Sequence, residues 1–386
     1  MNSQSTNLSS AMFSDSLMSA DDALSFLIDS ASVTAMTEAV SLDDSLGRIL
    51  ASDIHSTINV PGFDNSAMDG YTIALNDTQV AQENLSFDVV DRIAAGSTGN
   101  DLKIGNAARI FTGAPIPNGA NTVVMQEECT LSEDKSQITV KRAINLNENI
   151  RPTGNDILKD NVILSSGRQI KPQDISLAAS VGVGELVVFK KIKVGVFFTG
   201  DELVEPGNPL TPGKIYNSNR YALVALLKQV GCDVINLGNI EDKLDATCEA
   251  LEALESQCDL IMTTGGVSVG EEDHVKPAVE KLGELNLWKI RMKPGKPLAY
   301  GKVKQTPFIG LPGNPVSSFV TFCIFSLPFI KKMQGNSNYE SKISKVKTNF
   351  ECKRAKPRRE YARVRIDQST EVPLANLFSK QGSDVM

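Results

Sequence analysis

Residues 263–275 read TTGGVSVGEEDHV. The apolar run CDLIMTT leads into them, and a helical pattern follows to about Leu282. A buried strand that ends in two glycines and three acids, just before a helix, is the edge of a βαβ unit. Glycine lets a ligand approach the backbone and lets N–H groups point at an anion. Carboxylates repel an anion, but they hold a hard cation, and magnesium bridges carboxylates to phosphate. The stretch therefore reads as half of an anion-plus-metal site, or as a tight turn entering an acid-capped helix.

Working outward, the same alternation extends over about 188–335. KIKVGVFF, CDVINLG and CDLIMTT are strands. SNRYALVALLKQVG is a helix with Gly231 just past its end. DKLDATCEALEALESQ is a helix carrying Leu244, Cys248, Leu251 and Leu254 on one face. LWKIRM, PLAYG and PFIGL follow as strands, and a last helix starts near Asn314. Strands alternating with helices of this length predict an α/β unit with a mostly parallel sheet.

Ligands of open α/β sheets sit beyond the carboxyl ends of the strands. One such end supplies Thr199, Gly200, Asp201 and Glu202; another supplies Gly265, Gly266, Ser268 and the acids through Asp273. The turn MKPGKPLAYG places Lys293 and Lys296 where two ammonium groups can meet one polyanion, or forms an ordinary basic loop. GLPGNPVSS puts Asn314 at an N-cap and Pro315 at the first helical position, which leaves N–H groups free at a positive dipole end. Gly266-Val-Ser-Val-Gly270 matches the nucleophile elbow of hydrolases, but that mechanism needs a later histidine. Only His274 follows, in the adjoining helix. Ser268 is better read as a hydrogen-bond donor.

The flanking regions differ. Residues 20–54 and 151–187 form a mixed α/β linking domain, with ADDALSFLID and SLDDSLGRILASDI read as helical and Pro172 opening another helix. Residues 55–150 form an irregular, mostly β domain of short runs broken by Gly, Pro and Asn. Within it, VPGFDNSAMDGYTI holds Asp64 and Asp69 beside Phe63, Met68 and Tyr71, as an activating carboxylate loop or an Asx-rich turn. Residues 336–386 form a C-terminal β domain that looks incomplete. From Lys331 to Arg365 there are 12 Lys/Arg against three Glu, a solvated basic face or a nucleic-acid arm.

Composition narrows the function. The chain has 386 residues, 41% hydrophobic and 22% charged, enough for several domains. A net charge of -7 argues against a nucleic-acid partner. Six scattered cysteines without a C-x-x-C pair, and only two histidines, argue for reduced thiols in a cytosolic chain and against a zinc site. The apolar stretch 318–330 reads as a buried helix, too short to span a bilayer.

Taken together, PGFDNSAMDGY, FTGAPIPNGANTVVMQEE, GNDI, TGDEL, IYNSNRY, TTGGVSVGEEDH, KPGKPLAYG and GLPGNPVSS resemble the molybdopterin molybdenumtransferase family, MoeA in bacteria and the gephyrin E domain in animals. The matches keep the family's order from about residue 40 to 335. The resemblance implies a transferase that takes adenylylated molybdopterin and molybdate, cleaves the adenylate with Mg2+, and forms molybdenum cofactor. It implies an elongated homodimer whose cleft is shared between subunits, with a molybdopterin adenylyltransferase as upstream partner and no membrane. Onto this sequence it carries Asp69, Thr112, Asp156, Glu202, Asp242, Asp273, Lys293 and Lys296 as functional residues. Glu202 and Asp273 become the expected metal ligands. Thr199, Gly200, Asp201, Ser218, Asn219, Gly265, Gly266, Ser268, Pro312, Gly313, Asn314 and Pro315 line the binding site.

Overall fold

The structure, a computed structural model, describes residues 17–34, 36–266, 273–351 and 358–382. Ser268 lies outside the described residues. The first helix, α1 (Ala20–Ser30), is started by Ser19, whose hydroxyl accepts the Asp22 N–H, with Asp21 and Asp22 in the first turn. Strand Thr37–Ser41 pairs antiparallel with Glu185–Phe189. The stretch SLDDSLGRILASDI forms no helix, against the sequence expectation. Ser41 closes a turn onto the Asp44 N–H, Gly47 adopts φ +77, and Ile49 and Leu50 bridge to Gln169 and Val188. Those partners lie more than a hundred residues away, and their pairing overrides local helix preference. Helix α2 (Pro172–Ser180) starts with proline in its first turn, as expected.

The β-rich region holds a six-stranded sheet. Its order is Thr122–Met125, Gly70–Ile73, Asn106–Ile110, Leu85–Ile93, Gln137–Val140, Cys129–Leu131. Both faces are covered. Tyr71, Ile73, Ala107 and Val124 face one cluster, while Ala108, Ile110 and Val123 face another. Thr72 is fully buried, and its hydroxyl donates to the Thr122 carbonyl, so the polar side chain is satisfied.

The next elements are β1 (Lys193–Thr199), α3 (Ser218–Gln229), β2 (Asp233–Ile240), α4 (Leu244–Glu255), β3 (Leu260–Thr264), α5 (Val275–Leu282), β4 (Gly283–Lys289), β5 (Pro297–Val303), β6 (Thr306–Leu311) and α6 (Pro315–Met333). The sheet order is β2-β1-β3-β6-β5-β4. β2, β1, β3 and β6 run parallel; β5 is antiparallel to both its neighbours. Period-2 burial sends alternate residues to two cores. Val194, Val196 and Phe198 face α1, α3 and α6, while Phe197, Ile261 and Phe308 face α4 and α5. From β1 the chain passes by α3 to one neighbour, and from β2 by α4 across to the other. This is a topological switch, and in open α/β sheets the ligand crevice lies at the strand carboxyl ends there, in this sheet those of β1 and β3.

Two details depart from the sequence reading. α1 docks on the α/β unit: Phe26 meets Trp288 edge-on at 5.1 Å and Tyr300 at 6.0 Å, and Tyr300 meets Phe329 at 5.9 Å. The apolar stretch 318–330 belongs to a 19-residue helix, α6, which by length and composition could cross a membrane. Its Phe322, Phe325, Phe329 and Ile330 are buried in the core, as that stretch led one to expect. Pro328 fits inside it because Phe322–Ser326 widens to a π turn, with Leu327 N–H bonding the Phe322 carbonyl.

Beyond α6, Lys347–Thr348, Leu374–Leu377 and Val364–Asp367 form a three-stranded sheet. Arg359–Glu360 pairs separately with Met292–Lys293.

Candidate active site

Strand register assembles the first group. Phe198 lies opposite Thr264, Thr264 opposite Leu311, and Thr199 opposite Ile240. The segments 199–202, 265–266, 312–315 and Asp242 therefore leave the same sheet edge together. Gly265 N–H bonds the Leu311 carbonyl at 3.0 Å. A Cβ on Gly313 would stand 3.6 Å from the Gly265 Cα, so the two glycines keep this crevice floor free of side chains. Gly266 adopts φ +66, and its missing Cβ would stand 2.5 Å from Val275 Cγ2. The Thr199 hydroxyl donates to Asp242 Oδ1 at 2.7 Å. Thr199 is 7% exposed, so this bond fixes a carboxylate from below.

The walls are polar. Glu202 is exposed, and its carboxylate folds over Gly200, where a Cβ would stand 2.7 Å from Oε2. Lys214 Nζ donates to the Asp201 carbonyl at 2.5 Å. Ser218 is the first residue of α3, and Asn219 Nδ2 donates to the Gly313 carbonyl at 2.6 Å. Asp273 is half-buried, two residues ahead of α5. Pro312 and Gly313 lead into α6, with Asn314 at the N-cap and Pro315 in the first turn. Lys293 and Lys296 are both exposed, in the turn before β5. Gly295 between them adopts φ +93 and packs on α6; a Cβ there would stand 2.5 Å from Thr321 Oγ1. The two lysines thus share a scaffold with α6.

A second group sits in the β-rich region. Asp69 Oδ1 accepts from the Thr112 N–H at 2.8 Å and its hydroxyl at 2.7 Å. The Thr112 backbone and hydroxyl bonds hold the Asp69 carboxyl below the usual carboxylate range. Asp64 is held the same way by Thr153, at 2.7 and 2.9 Å. Asp156 accepts from the Asn155 amide at 2.8 Å. The described hydrogen bonds of Asp69 and Thr112 stay inside this region, while Asp156, in the linking stretch 151–187, joins it through its N–H to the Val60 carbonyl.

Two residues outside the sequence-derived set help build the site. Asn217, 2% exposed, caps α3 through the Arg220 N–H and donates to Asn239 Oδ1 at the end of β2. Its place as N-cap was the available signal. Glu360 stands 3.7 Å from Lys293 Nζ. Nothing local in the tail points to that pairing.

For a metal, the donors at this edge are carboxylate oxygens. Among the described residues no group of three or more His, Cys, Asp or Glu converges. Magnesium keeps several waters and takes one or two carboxylates plus substrate phosphate, so the oxygen donors of Glu202 and Asp273 are of the kind that would hold it.

With this geometry in place, comparison with known proteins is decisive. Residues 18–182 match the family described as MoeA N-terminal region (domain I and II), and residues 195–332 match the probable molybdopterin binding domain. A molybdopterin molybdenumtransferase of Haemophilus influenzae is 44% identical over 325 residues, 84% of this chain and 80% of its own. The chain belongs to the molybdopterin molybdenumtransferase family. The family member of Nostoc sp. is 36% identical, covering 82% of this chain and 74% of its own. The crystal structure of a molybdopterin biosynthesis MoeA protein from Pyrococcus horikoshii superposes with a TM-score of 0.82 at 30% identity, over 96% of this chain and 92% of that one. The family's α/β multidomain fold is the fold seen here.

Proposed function

We propose that the chain transfers molybdenum from molybdate to adenylylated molybdopterin, releasing AMP and forming molybdenum cofactor. One observation carries the reading: the side-chain-free floor of Gly265 and Gly313 lies between the Asp242 carboxylate and the α6 N-terminus, and the turn that carries Lys293 and Lys296 packs on that same helix through Gly295. A dinucleotide-like polyanion needs such a surface, where backbone approaches phosphate and cations neutralise it. In this reading the α6 N–H groups receive phosphate, and Lys293 and Lys296 bind phosphate or molybdate. Asn219, Ser218, Thr199 and Asp201 shape the pocket around the bound molecule. Glu202 and Asp273 hold Mg2+, which supplies charge neutralisation at the phosphate when bound. Asp242 is oriented by Thr199. Asp69 and Thr112 serve the cleft of a second copy in a homodimer, and Asp156 borders it. The adenylylated substrate comes from a separate adenylyltransferase.

A reconstitution tests this. Purified chain, adenylylated molybdopterin, magnesium and low molybdate are mixed; AMP release and activation of an apo-molybdoenzyme are measured. Molybdate-dependent AMP release with activation is expected. Binding without release under any molybdate concentration would sink the reading.

A further inference from the structure

The segment 290–293, which delivers Lys293, is held between two segments remote in sequence, Met18 and the strand Arg359–Glu360. On one side Met18 N–H bonds the Lys289 carbonyl at 3.0 Å, and Arg291 N–H bonds the Met18 carbonyl at 2.8 Å. On the other, Arg359 N–H bonds the Arg291 carbonyl at 2.9 Å and Tyr361 N–H bonds the Lys293 carbonyl at 2.8 Å. The carbonyl of the lysine itself is thus fixed from the tail. Tyr361 packs on the core of the α/β unit, and Glu360 faces Lys293 Nζ. One side-chain pair locks the tail strand in register. Arg359 Nη1 and Nη2 donate to Asp21 Oδ1 and Oδ2 at 2.7 and 2.6 Å, a two-pronged fork across 338 positions. Asp21 lies in the first turn of α1, so the same fork ties tail, first helix and lysine turn together.

We propose that Asp21 is a positioning residue for the anion-binding lysines, acting through Arg359 on the ladder that carries Lys293. The proposal rests on the reading that Lys293 and Lys296 bind the oxyanion. Most exposed ion pairs contribute little because their side chains wander. This one has fork geometry and sits on a backbone ladder that ends at Lys293, so its loss registers at that residue. Gly295, pressed on Thr321, passes the constraint to Lys296. Asp21 touches neither substrate nor metal; its effect falls on anion affinity.

The test compares wild type, Asp21→Asn and Asp21→Glu as full chains. The readouts are the molybdate dependence of AMP release, molybdate binding by calorimetry, and hydrogen exchange of residues 290–296. The proposal expects Asp21→Asn to raise the KM and Kd for molybdate about fivefold, with kcat within about twofold of wild type. Exchange across 290–296 quickens, and Asp21→Glu recovers most of the loss. Unchanged molybdate affinity overturns the proposal, as does a fall in kcat alone or a general loss of stability that Asp21→Glu fails to restore. If wild type releases no AMP, the functional reading has failed. The positioning claim is then decided by exchange and molybdate binding: faster exchange with weaker binding upholds it, and no change refutes it.

Discussion

Replacing Gly295 by alanine presses on the one turn that carries both lysines. Two costs add. At φ +93 an L-residue pays roughly 1–2 kcal/mol against its Cβ. The new Cβ would also stand 2.5 Å from Thr321 Oγ1, far inside contact distance, with the Ser317 carbonyl at 3.4 Å. Turning the Thr321 side chain brings its methyl into the same space, so overpacking adds roughly 1–3 kcal/mol. The sum is about 2–5 kcal/mol. Trp288 is the chain's single tryptophan and is 2% exposed in the α/β core, so its fluorescence in a urea titration reports this unit alone. Gly295→Ala should lower the urea midpoint. In a Thr321→Ala background the steric part disappears and about 1–2 kcal/mol should remain. Thr321→Ala itself should be near neutral, because the fully buried hydroxyl has no hydrogen-bond partner among the described residues. A Gly295→Ala chain that unfolds at the wild-type midpoint would refute the packing argument.

Other outcomes follow from the same geometry. Thr199→Val removes the donor that orients Asp242, and kcat for AMP release should fall roughly tenfold or more while the Trp288 transition stays near wild type. Gly313→Val places branches against Gly265, and binding of adenylylated molybdopterin should weaken by at least about tenfold in calorimetry. At Asp174, burial pushes the carboxyl up, but Arg168 and the Lys171 N–H outweigh it and leave the group below its usual value. Its stabilisation is therefore present above the unfolded carboxyl pKa and lost as pH falls through the folded one. Asp174→Ala should flatten the acid limb of a stability–pH curve and destabilise the linking region by about 1–3 kcal/mol at neutral pH.

The α/β unit was legible because its information is local. Buried runs of five to eight residues, helical stripes and N-caps such as Asn314 are written in neighbouring positions. The glycines were legible for the same reason: Gly265, Gly266 and Gly313 mark strand ends where a Cβ has no room or would close the crevice. What the sequence hid depends on partners far along the chain. The 41–54 stretch has helix-forming residues, yet Ile49 and Leu50 are claimed by Gln169 and Val188. Docking of α1 on Trp288, and Glu360 facing Lys293, need the tertiary fold before they have meaning. The π turn ahead of Pro328 is hidden too, since proline alone signals a break and not how the helix absorbs it.

The docking of α1 matters to anyone who wishes to cut the protein apart. The family boundaries invite two fragments, one ending near residue 182 and one beginning near 195. The first would carry Ala20, Ala23 and Leu27 as an uncovered apolar stripe, and the second would present the bare ring surfaces of Trp288 and Tyr300 to water. Each half would thus display the surface that the other was made to cover, and both would be prone to clump. A soluble α/β fragment calls for residues 17–31 to be grafted back, and the two halves mixed in one tube should find each other through that helix.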